Sequence, residues 1–397
     1  MDKITLLRDQ ESCSGCGACA MVCPKQAITM TEDETGFRYP VIDHEKCIGC
    51  KKCLKICACQ QSILWEPQKA YAAVGLQEDV VKSSASGGVF AALAHSVLEQ
   101  GGLVAGAVMD CTKEGADVYH ILSDSKADIA RMQGSKYVQS DALRCYRDVC
   151  SAVKEGKKVL FSGTPCQVAA IRALTGDPDN LVTAELICHG VPSVKMLNAY
   201  LRVLGRHLGG SIESFCFRDK ASPKTYTARI QVSRGRESRI YRLRPKHLSF
   251  YQHFLEGVNH RESCYSCPFA GMKRVADLTM GDYWGIEKFH SADIQAGTIP
   301  NRKDWSCVLI NSEKGTAFLE TVSDQLLLYP SKFQWIAENN HQLTAPTGKP
   351  SERDAVLQIF QKNGYGAVER KFIKDKGGIL RFYWRLLRDI AGEDRPG

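Results

Sequence analysis

Several features are missing from this sequence. It has no run of about 18 consecutive apolar residues, which excludes a conventional membrane-spanning helix. Its first residues, MDKITLLRDQ, lack the basic-then-apolar layout of a secretory signal. No G-x-G-x-x-G follows a strand-like segment, which argues against a Rossmann nicotinamide site, and no nucleic-acid-binding motif is found. We therefore expect a cytoplasmic protein without a membrane or nucleic-acid partner.

Cysteine, in contrast, is abundant. The chain has 397 residues, of which 44% are hydrophobic and 18 are cysteines. This length and composition indicate a globular protein of more than one domain. Half of the cysteines lie before residue 60 in tight clusters, and the rest are spread through an enzyme-sized body. That distribution favours metal ligation in a reducing compartment over a disulfide framework.

The first cysteine motif is the segment CSGCGACAMVCP. Its spacing is C-x2-C-x2-C-x3-C-P, and the same cysteine spacing returns 34 residues later. Two runs in register indicate an internal duplication. The pattern is typical of two-cluster ferredoxins, in which the fourth cysteine of each run serves the opposite 4Fe-4S cluster. One cluster is therefore assigned to Cys13, Cys16, Cys19 and Cys57, and the other to Cys47, Cys50, Cys53 and Cys23.

These runs define a predicted first domain, residues 1–66, of ferredoxin-like α+β class. The apolar segments AITM and SILW after the two motifs are expected to form strands that cover the clusters. Zinc or buried thiols are the alternative, but zinc sites seldom have this four-cysteine run. The second run departs from the pattern, because Cys57 is followed by Ala58 and then by Cys59. Cys59 is thus either a substitute ligand or a buried thiol.

The remaining chain, residues 67–397, alternates apolar runs with helix-length segments. This alternation predicts an α/β domain with a largely parallel sheet. The arginine-rich stretch 226–246 alternates polar and apolar residues and predicts an antiparallel pair at the side. Strands are expected at YAAVGL, LVAGAVM, KVLFSG, LVTAELIC, SFCFR and CVLIN, and helices at 88–99, 141–155, 165–174, 192–207 and 248–258.

Two junctions in this body have the character of anion or metal sites. Ser83, Ser84 and Ser86 with the Gly87–Gly88 pair lead into a helix whose free N–H groups can face an anion, although a plain serine N-cap is the simpler interpretation. In FSGTPCQVAAI, a strand ends before a T-x-x-Q capping box. Cys166 then falls in the first helical turn, where the helix dipole stabilises a thiolate.

A third cysteine set follows from the same topology. Cys166 and Cys188 both follow strands, and ligands gather beyond the carboxyl ends of parallel strands. Cys264 and Cys267 form a C-x2-C pair before the turn-rich segment DLTMGDYWG. These four cysteines predict a third iron–sulfur site, with zinc as the main alternative and a structural role open for Cys188. The others, Cys111, Cys145, Cys150, Cys216 and Cys307, have no partner pattern.

Basic residues are concentrated in one stretch. The net charge is +8, and ten Lys or Arg face two acids between Arg218 and Lys246. This stretch is either a solvated β face or a docking surface for an anionic partner or a phosphate-bearing ligand. The C-terminal segment GGILRFYWRLLRDIAG is a basic amphipathic stretch that packs on its own domain or docks elsewhere. The sequence leaves the oligomeric state open.

Six motifs in order resemble the coenzyme F-420 hydrogenase/dehydrogenase beta-subunit family, here with a two-cluster ferredoxin domain in front. They are SSASGG, GSKYVQSD, FSGTPCQVAAI, CHGVPS, FRDK and DLTMGDYWG. The resemblance implies a flavoprotein that binds FAD noncovalently, holds a 4Fe-4S cluster in its body and moves electrons between a hydride-type substrate and one-electron carriers.

The resemblance also implies functional residues. Four residues would lie near the flavin ring or the substrate: Thr164, His189, Arg218 and Asp219. His189 is either a candidate proton donor or a residue that only braces the turn beside Cys188. Asp282 and Trp284 are expected to shape a turn rather than to take part in chemistry. The residues implied to help bind FAD are Ser86, Gly87, Gly88, Gly134, Ser135, Lys136, Tyr137 and Ser140, with Lys136 offsetting phosphate charge.

The leading functional hypothesis is an oxidoreductase linked to ferredoxin or another acidic electron-transfer protein. In this hypothesis the flavin converts between the one-electron steps of the clusters and the two-electron step of a small-molecule substrate. Coenzyme F-420 is the named candidate for that substrate. A reductase of another organic substrate is a variant of this hypothesis. An electron-relay subunit of a larger hydrogenase or dehydrogenase is the second hypothesis. A non-enzymatic iron–sulfur protein is the third.

Overall fold

The structure is a computed structural model that describes residues 10–112, 115–222, 226–382 and 384–386. Thirteen strands are found in this part of the chain. They are β1 (Ile28–Glu32), β2 (Arg38–Ile42), β3 (Lys69–Gly75), β4 (Leu103–Thr112), β5 (Gly115–Ser123), β6 (Val159–Gly163), β7 (Leu181–Leu186), β8 (Ser211–Cys216), β9 (Ala228–Arg234), β10 (Glu237–Leu243), β11 (Leu278–Asp282), β12 (Ser306–Ile310) and β13 (Leu326–Ser331).

The described residues also form α-helices, several of them a single turn long. They are α1 (Ala18–Met21), α2 (Lys52–Lys55), α3 (Ala58–Gln61), α4 (Glu78–Ser83), α5 (Val89–Glu99), α6 (Lys126–Met132), α7 (Leu143–Lys154), α8 (Pro165–Thr175), α9 (Val194–Leu208), α10 (Ser249–Leu255), α11 (Ile286–Phe289), α12 (Ser291–Gln295), α13 (Glu313–Glu320), α14 (Phe333–Glu338), α15 (Arg353–Asn363) and α16 (Tyr365–Asp375). Within the described ranges, none of them has both the length and the apolarity needed to cross a membrane.

The duplicated cysteine runs fold alike. Helix α1 follows Gly17 at φ 84°, and α2 follows Lys51 at φ 59°, the position 34 residues later. Gly adopts a left-handed conformation without strain, whereas Lys51 adopts it at a cost of about 1–2 kcal/mol. The second run therefore has the same backbone geometry as the first, although Lys51 stands where the first run has Gly17.

The strands expected in the first domain are confirmed only in part. AITM begins β1, which pairs antiparallel with β2, with Ile28 opposite Ile42. SILW is not a strand. Its last residue, Trp65, instead makes an isolated bridge to Arg274 in the body.

The body is built on an eight-stranded sheet in the order β13-β3-β12-β11-β7-β6-β4-β5. The expected parallel sheet is present as its centre, where β11, β7, β6 and β4 are parallel neighbours. Strands at both sides add antiparallel pairs. The segment DLTMGDYWG was expected to be turn-rich, but its first half is the central strand β11, whose residues Leu278, Thr279 and Met280 are buried.

Helices cover both faces of this sheet. Residues of α5 and α13, including Leu93 and Phe318, pack against one face. Residues of α7 and α8, including Val149 and Ile171, pack against the other. Strand β6 is consequently buried along its whole length, as expected for a central strand of a doubly covered sheet. The five helices expected from the sequence are confirmed as α5 and α7 to α10.

The arginine-rich stretch forms the expected antiparallel pair, β9 with β10, and β8 completes a separate three-stranded sheet. SFCFR therefore belongs to this small sheet and not to the large one. Helices α9, α10, α15 and α16 share a core with it. In the C-terminal amphipathic stretch, Phe382 packs against Phe372 and Ile373, while residues 383 and 387–392 lie outside the described residues.

Candidate functional site

The eight cysteines of the two N-terminal runs fall into two groups in the structure. Cys23, Cys47, Cys50 and Cys53 line one small cavity, so Cys23 lies with the second run. We call this set the outer cysteine set because Cys50 is exposed.

The other four N-terminal cysteines also lie near one another. Burial raises the pKa of the Cys19 thiol, and its neighbours Cys16, Cys13 and Cys57 raise it further. Burial likewise raises the pKa of Cys57, with Cys59 and Cys13 adding to the effect. Cys57 therefore lies with the first run, and Cys13, Cys16, Cys19 and Cys57 form the inner cysteine set.

The body contributes a third set. One cavity of about 350 Å³ is lined by Cys166, Cys188, Cys264 and Cys267. Cys166 follows β6, Cys188 follows β7, and Cys264 ends a short 3-10 helix, Glu262–Cys264. Burial raises the pKa of Cys264 to about 12, while the nearby Arg261 and Arg353 oppose the rise. Buried thiols of this kind ionise when a metal binds them.

The capping box predicted beside Cys166 is confirmed. Thr164 caps α8, and its backbone N–H donates to Oε1 of Gln167 at 3.1 Å. The hydroxyl of Thr164 lies 3.2 Å from Sγ of Cys166. The box therefore fixes the first turn of α8 and holds the thiol at the cavity.

Cys59 lies where the inner set meets the body set. It lines the body cavity, and its Sγ lies 3.3 Å from the hydroxyl of Ser14. Its influence raises the pKa of the Cys57 thiol and, more weakly, that of Cys166. In the part of the chain that the structure describes, no three His, Cys, Asp or Glu side chains converge as they would around a single metal ion. The remaining cysteines, Cys111, Cys145, Cys150, Cys216 and Cys307, do not line the described cavities.

A second and larger cavity lies next to the body cysteines. Its volume is about 540 Å³, within the range of about 300–1,000 Å³ that is usual for ligand and cofactor sites. Most of the residues that the family resemblance implied for FAD line it. They are Ser86, Gly88, Gly134, Ser135, Lys136, Tyr137, Ser140, Thr164, His189 and Arg218.

Gly87 and Asp219 lie outside that lining. A Cβ at Gly87 would lie 2.6 Å from the carbonyl oxygen of Ala73, so this glycine allows close packing on β3. The carboxylate of Asp219 accepts a hydrogen bond from Nε of Arg242 at 2.8 Å.

The serines before α5 do not cap it. The N-cap is Gly88 at φ 79°, which has no side chain to accept a hydrogen bond from the helix. Ser84 donates to the carbonyl of Val80, and Ser86 donates to the carbonyl of Trp305. The simple N-cap interpretation is therefore wrong, and the loop instead forms part of the cavity wall.

Lys136 is bound within its own loop. Its ammonium donates to the backbone carbonyls of Arg131, Met132 and Gln133 at 2.7–2.9 Å. These carbonyls lie at the end of α6, where a cation is favourable. Burial lowers the pKa of Lys136 to about 7. The geometry thus gives Lys136 the role of a helix C-cap, in which all three of its donors are used.

His189 is held at both ring nitrogens. Its Nε2 lies 3.1 Å from the carbonyl oxygen of Leu255, and its Nδ1 lies 2.9 Å from Nε2 of Gln342. A carbonyl oxygen only accepts, so Nε2 carries the hydrogen and Nδ1 accepts from the amide. Burial lowers the pKa of His189. This arrangement favours a neutral histidine that braces the turn beside Cys188.

Sequence reasoning missed a buried polar network in the larger cavity. His120 contacts the carbonyl of Ser162 through Nε2 and the hydroxyl of Ser140 through Nδ1, both at 3.1 Å. Nε2 of Gln167 donates to Ser140 Oγ at 3.0 Å, so the network continues to Thr164. In the sequence, the capping box was the only feature that pointed to Gln167. Nothing in the sequence marked His120, a lone histidine in β5, as part of a site.

A second group that the sequence undervalued surrounds Arg218. Its guanidinium pairs with Asp282 at 2.6 Å and lies over the rings of Tyr226 and Trp284 at 5.2 and 5.7 Å. All four residues line the larger cavity. Asp282 and Trp284 therefore do more than shape a turn.

The two cavities share part of one wall. Thr164, Cys188, His189, Gly190 and Val191 line both of them. A group bound by the body cysteines and a ligand in the larger cavity would consequently be separated by little more than this segment.

These cysteine sets define an iron–sulfur protein of the redox class, and a 4Fe-4S dicluster domain matches residues 12–61. The N-terminal domain of the coenzyme F-420 hydrogenase/dehydrogenase beta subunit matches residues 70–146, and its C-terminal domain matches residues 156–332. The chain belongs to the coenzyme F-420 hydrogenase/dehydrogenase beta-subunit family, with the dicluster domain in front.

Two curated proteins are similar to it. The beta subunit of coenzyme F-420 hydrogenase from Methanococcus voltae is 23% identical over 258 residues, 63% of this chain and 79% of that protein. An uncharacterized protein of Methanocaldococcus jannaschii is 23% identical over 344 residues, 79% of this chain and 87% of that protein.

One solved structure is also similar, a chain of the F-420-reducing [NiFe] hydrogenase complex from Methanosarcina barkeri. The TM-score is 0.41 with 16% sequence identity, over 79% of this chain and 93% of the other.

Proposed function

We propose that the chain is an iron–sulfur flavoprotein oxidoreductase. Electrons would pass between a one-electron carrier and a two-electron substrate by way of the outer, inner and body clusters and FAD. The observation that supports this most directly is the segment Thr164 and Cys188–Val191, which lines both the cysteine cavity and the larger one. Membership of a family named for a hydrogenase and dehydrogenase subunit supports the same chemistry.

The body cysteines fit a 4Fe-4S cluster. Four thiols from three separate segments surround a cavity of about 350 Å³. Thiolates are the usual ligands of such clusters. In this proposal Cys166, Cys188, Cys264 and Cys267 are the ligands, and Cys59 lies at the side of the inner cluster.

The larger cavity fits FAD. A side chain at Gly134 would project into open space, so the backbone there can lie directly against a ligand. Arg218 brings positive charge, and Tyr137, Tyr226 and Trp284 bring aromatic surface. FAD supplies the conversion between the one-electron steps of clusters and the two-electron step of a hydride-type substrate.

The chain's own residues would prepare this site. The pair of Arg218 and Asp282 fixes the guanidinium at the cavity wall. Tyr137 stacks on Phe254 with ring centroids 4.3 Å apart, which keeps its loop in place. The network from His120 through Ser140 to Gln167 holds Thr164, and through it the turn of Cys166, next to the cofactor.

The one-electron carrier would bind at the outer cysteine set. Cys50 is exposed there, and Val41 and Ile48 are 54% and 51% exposed. A small apolar centre within a ring of charge is suited to brief contacts between redox proteins. We define the outer lysine patch as the exposed residues Lys25, Lys51, Lys52 and Lys55; the nearby Lys46 is left out because it pairs with Asp43 at 2.9 Å. This charge fits an acidic carrier such as a ferredoxin.

The arginine-rich stretch is less suited to that role. Arg218, Lys220 and Arg242 each pair with a carboxylate at 2.6–3.2 Å. Three of its ten positive charges are therefore neutralised within the protein. Arg236 and Arg239 on the β9–β10 hairpin remain exposed and give a control surface.

Coenzyme F-420 is the named candidate for the two-electron substrate. The similarity to a beta subunit of F-420 hydrogenase supports it. Anaerobically purified protein with its clusters and FAD should reduce F-420 with a reduced viologen as donor. If FAD is bound but F-420 is not turned over even after a larger hydrogenase partner is added, another organic substrate takes its place.

An electron-relay subunit is the second candidate, because the similar protein from Methanococcus voltae is itself a subunit. A relay would bind clusters and flavin yet turn over F-420 only after a larger partner is added. Absence of flavin from anaerobically purified protein would remove both enzyme hypotheses and leave a non-enzymatic iron–sulfur protein.

A further inference from the structure

Arg261 occupies an unusual position between the two domains. Its side chain is 1% exposed and lines the cavity of the body cysteines. Nε donates to the backbone carbonyl of Cys13 at 2.7 Å, and Nη2 donates to the carbonyl of Arg38 at 2.8 Å. The guanidinium therefore contacts the loop of the inner cysteine set and the cavity of the body set at the same time.

All hydrogen-bond partners found for this guanidinium among the described residues are neutral. Nη1 donates to Oε1 of Gln139 at 3.2 Å, and the other two bonds go to carbonyls. The rings of Tyr39 and Phe37 lie 4.2 and 5.6 Å from the guanidinium carbon and supply only weak cation–π attraction. Within the described residues, no carboxylate forms an ion pair with Arg261.

Two other buried arginines near the same cysteines are different. Arg274 pairs with Glu185 at 2.6 Å, and Arg353 pairs with Glu262 at 2.6 Å. A buried charge without a partner costs several kcal/mol, so proteins seldom keep one unless an opposite charge lies nearby. The environment of Arg261 thus lacks an anion that the environments of Arg274 and Arg353 have.

A 4Fe-4S cluster held by four thiolates carries net negative charge, and it gains more on reduction. We propose that Arg261 is the buried counter-cation shared by the inner cluster and the body cluster, and that it raises their reduction potentials. The proposal rests on the proposed function, since it requires both clusters. A fixed cation beside a cluster in a low-dielectric interior favours the reduced form, which carries the larger negative charge.

The same residue would hold the dicluster domain at the body. A Cβ at Gly15 would lie 2.7 Å from Nη1 of Arg261, so the loop of the inner set lies directly on the guanidinium. The hydrogen bonds to Cys13 and Arg38 fix that loop in orientation. Arg261 is in this sense a positioning residue that acts on the electron path without touching a substrate.

The test is a reduction titration of the cluster-loaded full chain, followed by electron paramagnetic resonance. Arg261→Gln should shift the potential of at least one cluster to a more negative value. Arg261→Lys keeps the charge and should stay near the wild type. Arg172→Gln is the matched control, because this buried arginine lines neither cysteine cavity and its partner Asp177 keeps Lys314 at 2.9 Å. It should leave the potentials unchanged.

Iron analysis separates the outcomes. If Arg261→Gln keeps its iron and the wild-type potentials, the assignment of Arg261 is overturned. If Arg261→Lys behaves like Arg261→Gln, in potential or in loss of iron, charge is not the cause and the assignment is also overturned. Loss of a cluster in Arg261→Gln alone supports it. If the wild-type chain itself holds no iron, the proposed function fails, and the assignment fails with it.

Discussion

Nε2 of Gln342 lies 2.9 Å from Nδ1 of His189, so the amide and the imidazole are bound to each other across the wall of the larger cavity. The imidazole also reaches the carbonyl of Leu255. Replacing His189 by Ala would remove the hydrogen-bond partner of the Leu255 carbonyl and leave the Gln342 amide with only its bond to Thr347 at 3.3 Å. In this largely buried site the cost is about 1–3 kcal/mol in the free energy of unfolding. We expect a lower thermal midpoint of unfolding and an unchanged pH dependence of flavin reduction. An altered pH dependence with an unchanged midpoint would instead identify His189 as a proton donor.

The crossed ligand sets can be tested with paired cysteine variants. Cys16→Ala and Cys57→Ala should each lose about four iron atoms per chain, and the double variant should lose no more, because both residues hold the inner cluster. Combining Cys16→Ala with Cys23→Ala should remove about eight. Cys145→Ala, a buried thiol outside the cavities, is the control and should keep all the iron. A double variant of Cys16 and Cys57 that loses about eight would refute the crossing.

His120 should make the protein sensitive to acid. Burial lowers its pKa from 6.5 to about 4. As the pH falls below 6.5, the unfolded chain therefore takes up a proton that the folded protein cannot accept until about pH 4. Stability is thus lost over this interval, by about 2 kcal/mol between pH 7 and pH 5 for one such group.

Thermal midpoints of the cluster-loaded protein at pH 7 and pH 5 measure this effect. His120→Gln should show a smaller fall than the wild type. The exposed His44 gives the control, because His44→Gln should keep the wild-type fall. An equal fall in all three proteins would mean that His120 is not the source of the acid sensitivity.

The outer lysine patch predicts charge-dependent reduction by a protein carrier. Reversing Lys51 and Lys52 to Glu should slow reduction by an acidic plant-type ferredoxin about tenfold or more at low salt, because like charges then face each other. Reduction by photoexcited 5-deazariboflavin, which is uncharged, should be unchanged. Reversing the exposed Arg236 and Arg239 is the control and should have little effect. The opposite pattern would move the docking surface to the arginine-rich hairpin.

The cysteine spacing is the feature of the sequence that makes the most specific prediction about the site. Ligand spacing is a local property that can be interpreted without knowledge of the fold. In the structure the outer and body sets each line a cavity, and their role as cluster ligands stays a prediction. The start of α8 was also predictable, because Thr164 and Gln167 form a capping-box pattern in the sequence.

Features that depend on tertiary contacts were not predictable. SILW has the composition of a strand, but its last residue, Trp65, makes only an isolated bridge to Arg274 in the body. The two glycines in DLTMGDYWG suggest a turn, yet Gly281 belongs to the central strand β11, with Ile187 packed close to it. The sequence likewise cannot tell that Lys136 is used by the end of its own helix.

The most direct test of the central claim is the cofactor content of the full chain purified without oxygen. We predict about twelve iron atoms, as many sulfides and one FAD per chain, with about four iron atoms lost in Cys267→Ser. The loss should leave FAD in place, since Cys267 lines the cysteine cavity and not the larger one. About eight iron atoms and no flavin in the wild type would contradict a path from clusters to flavin through the shared wall.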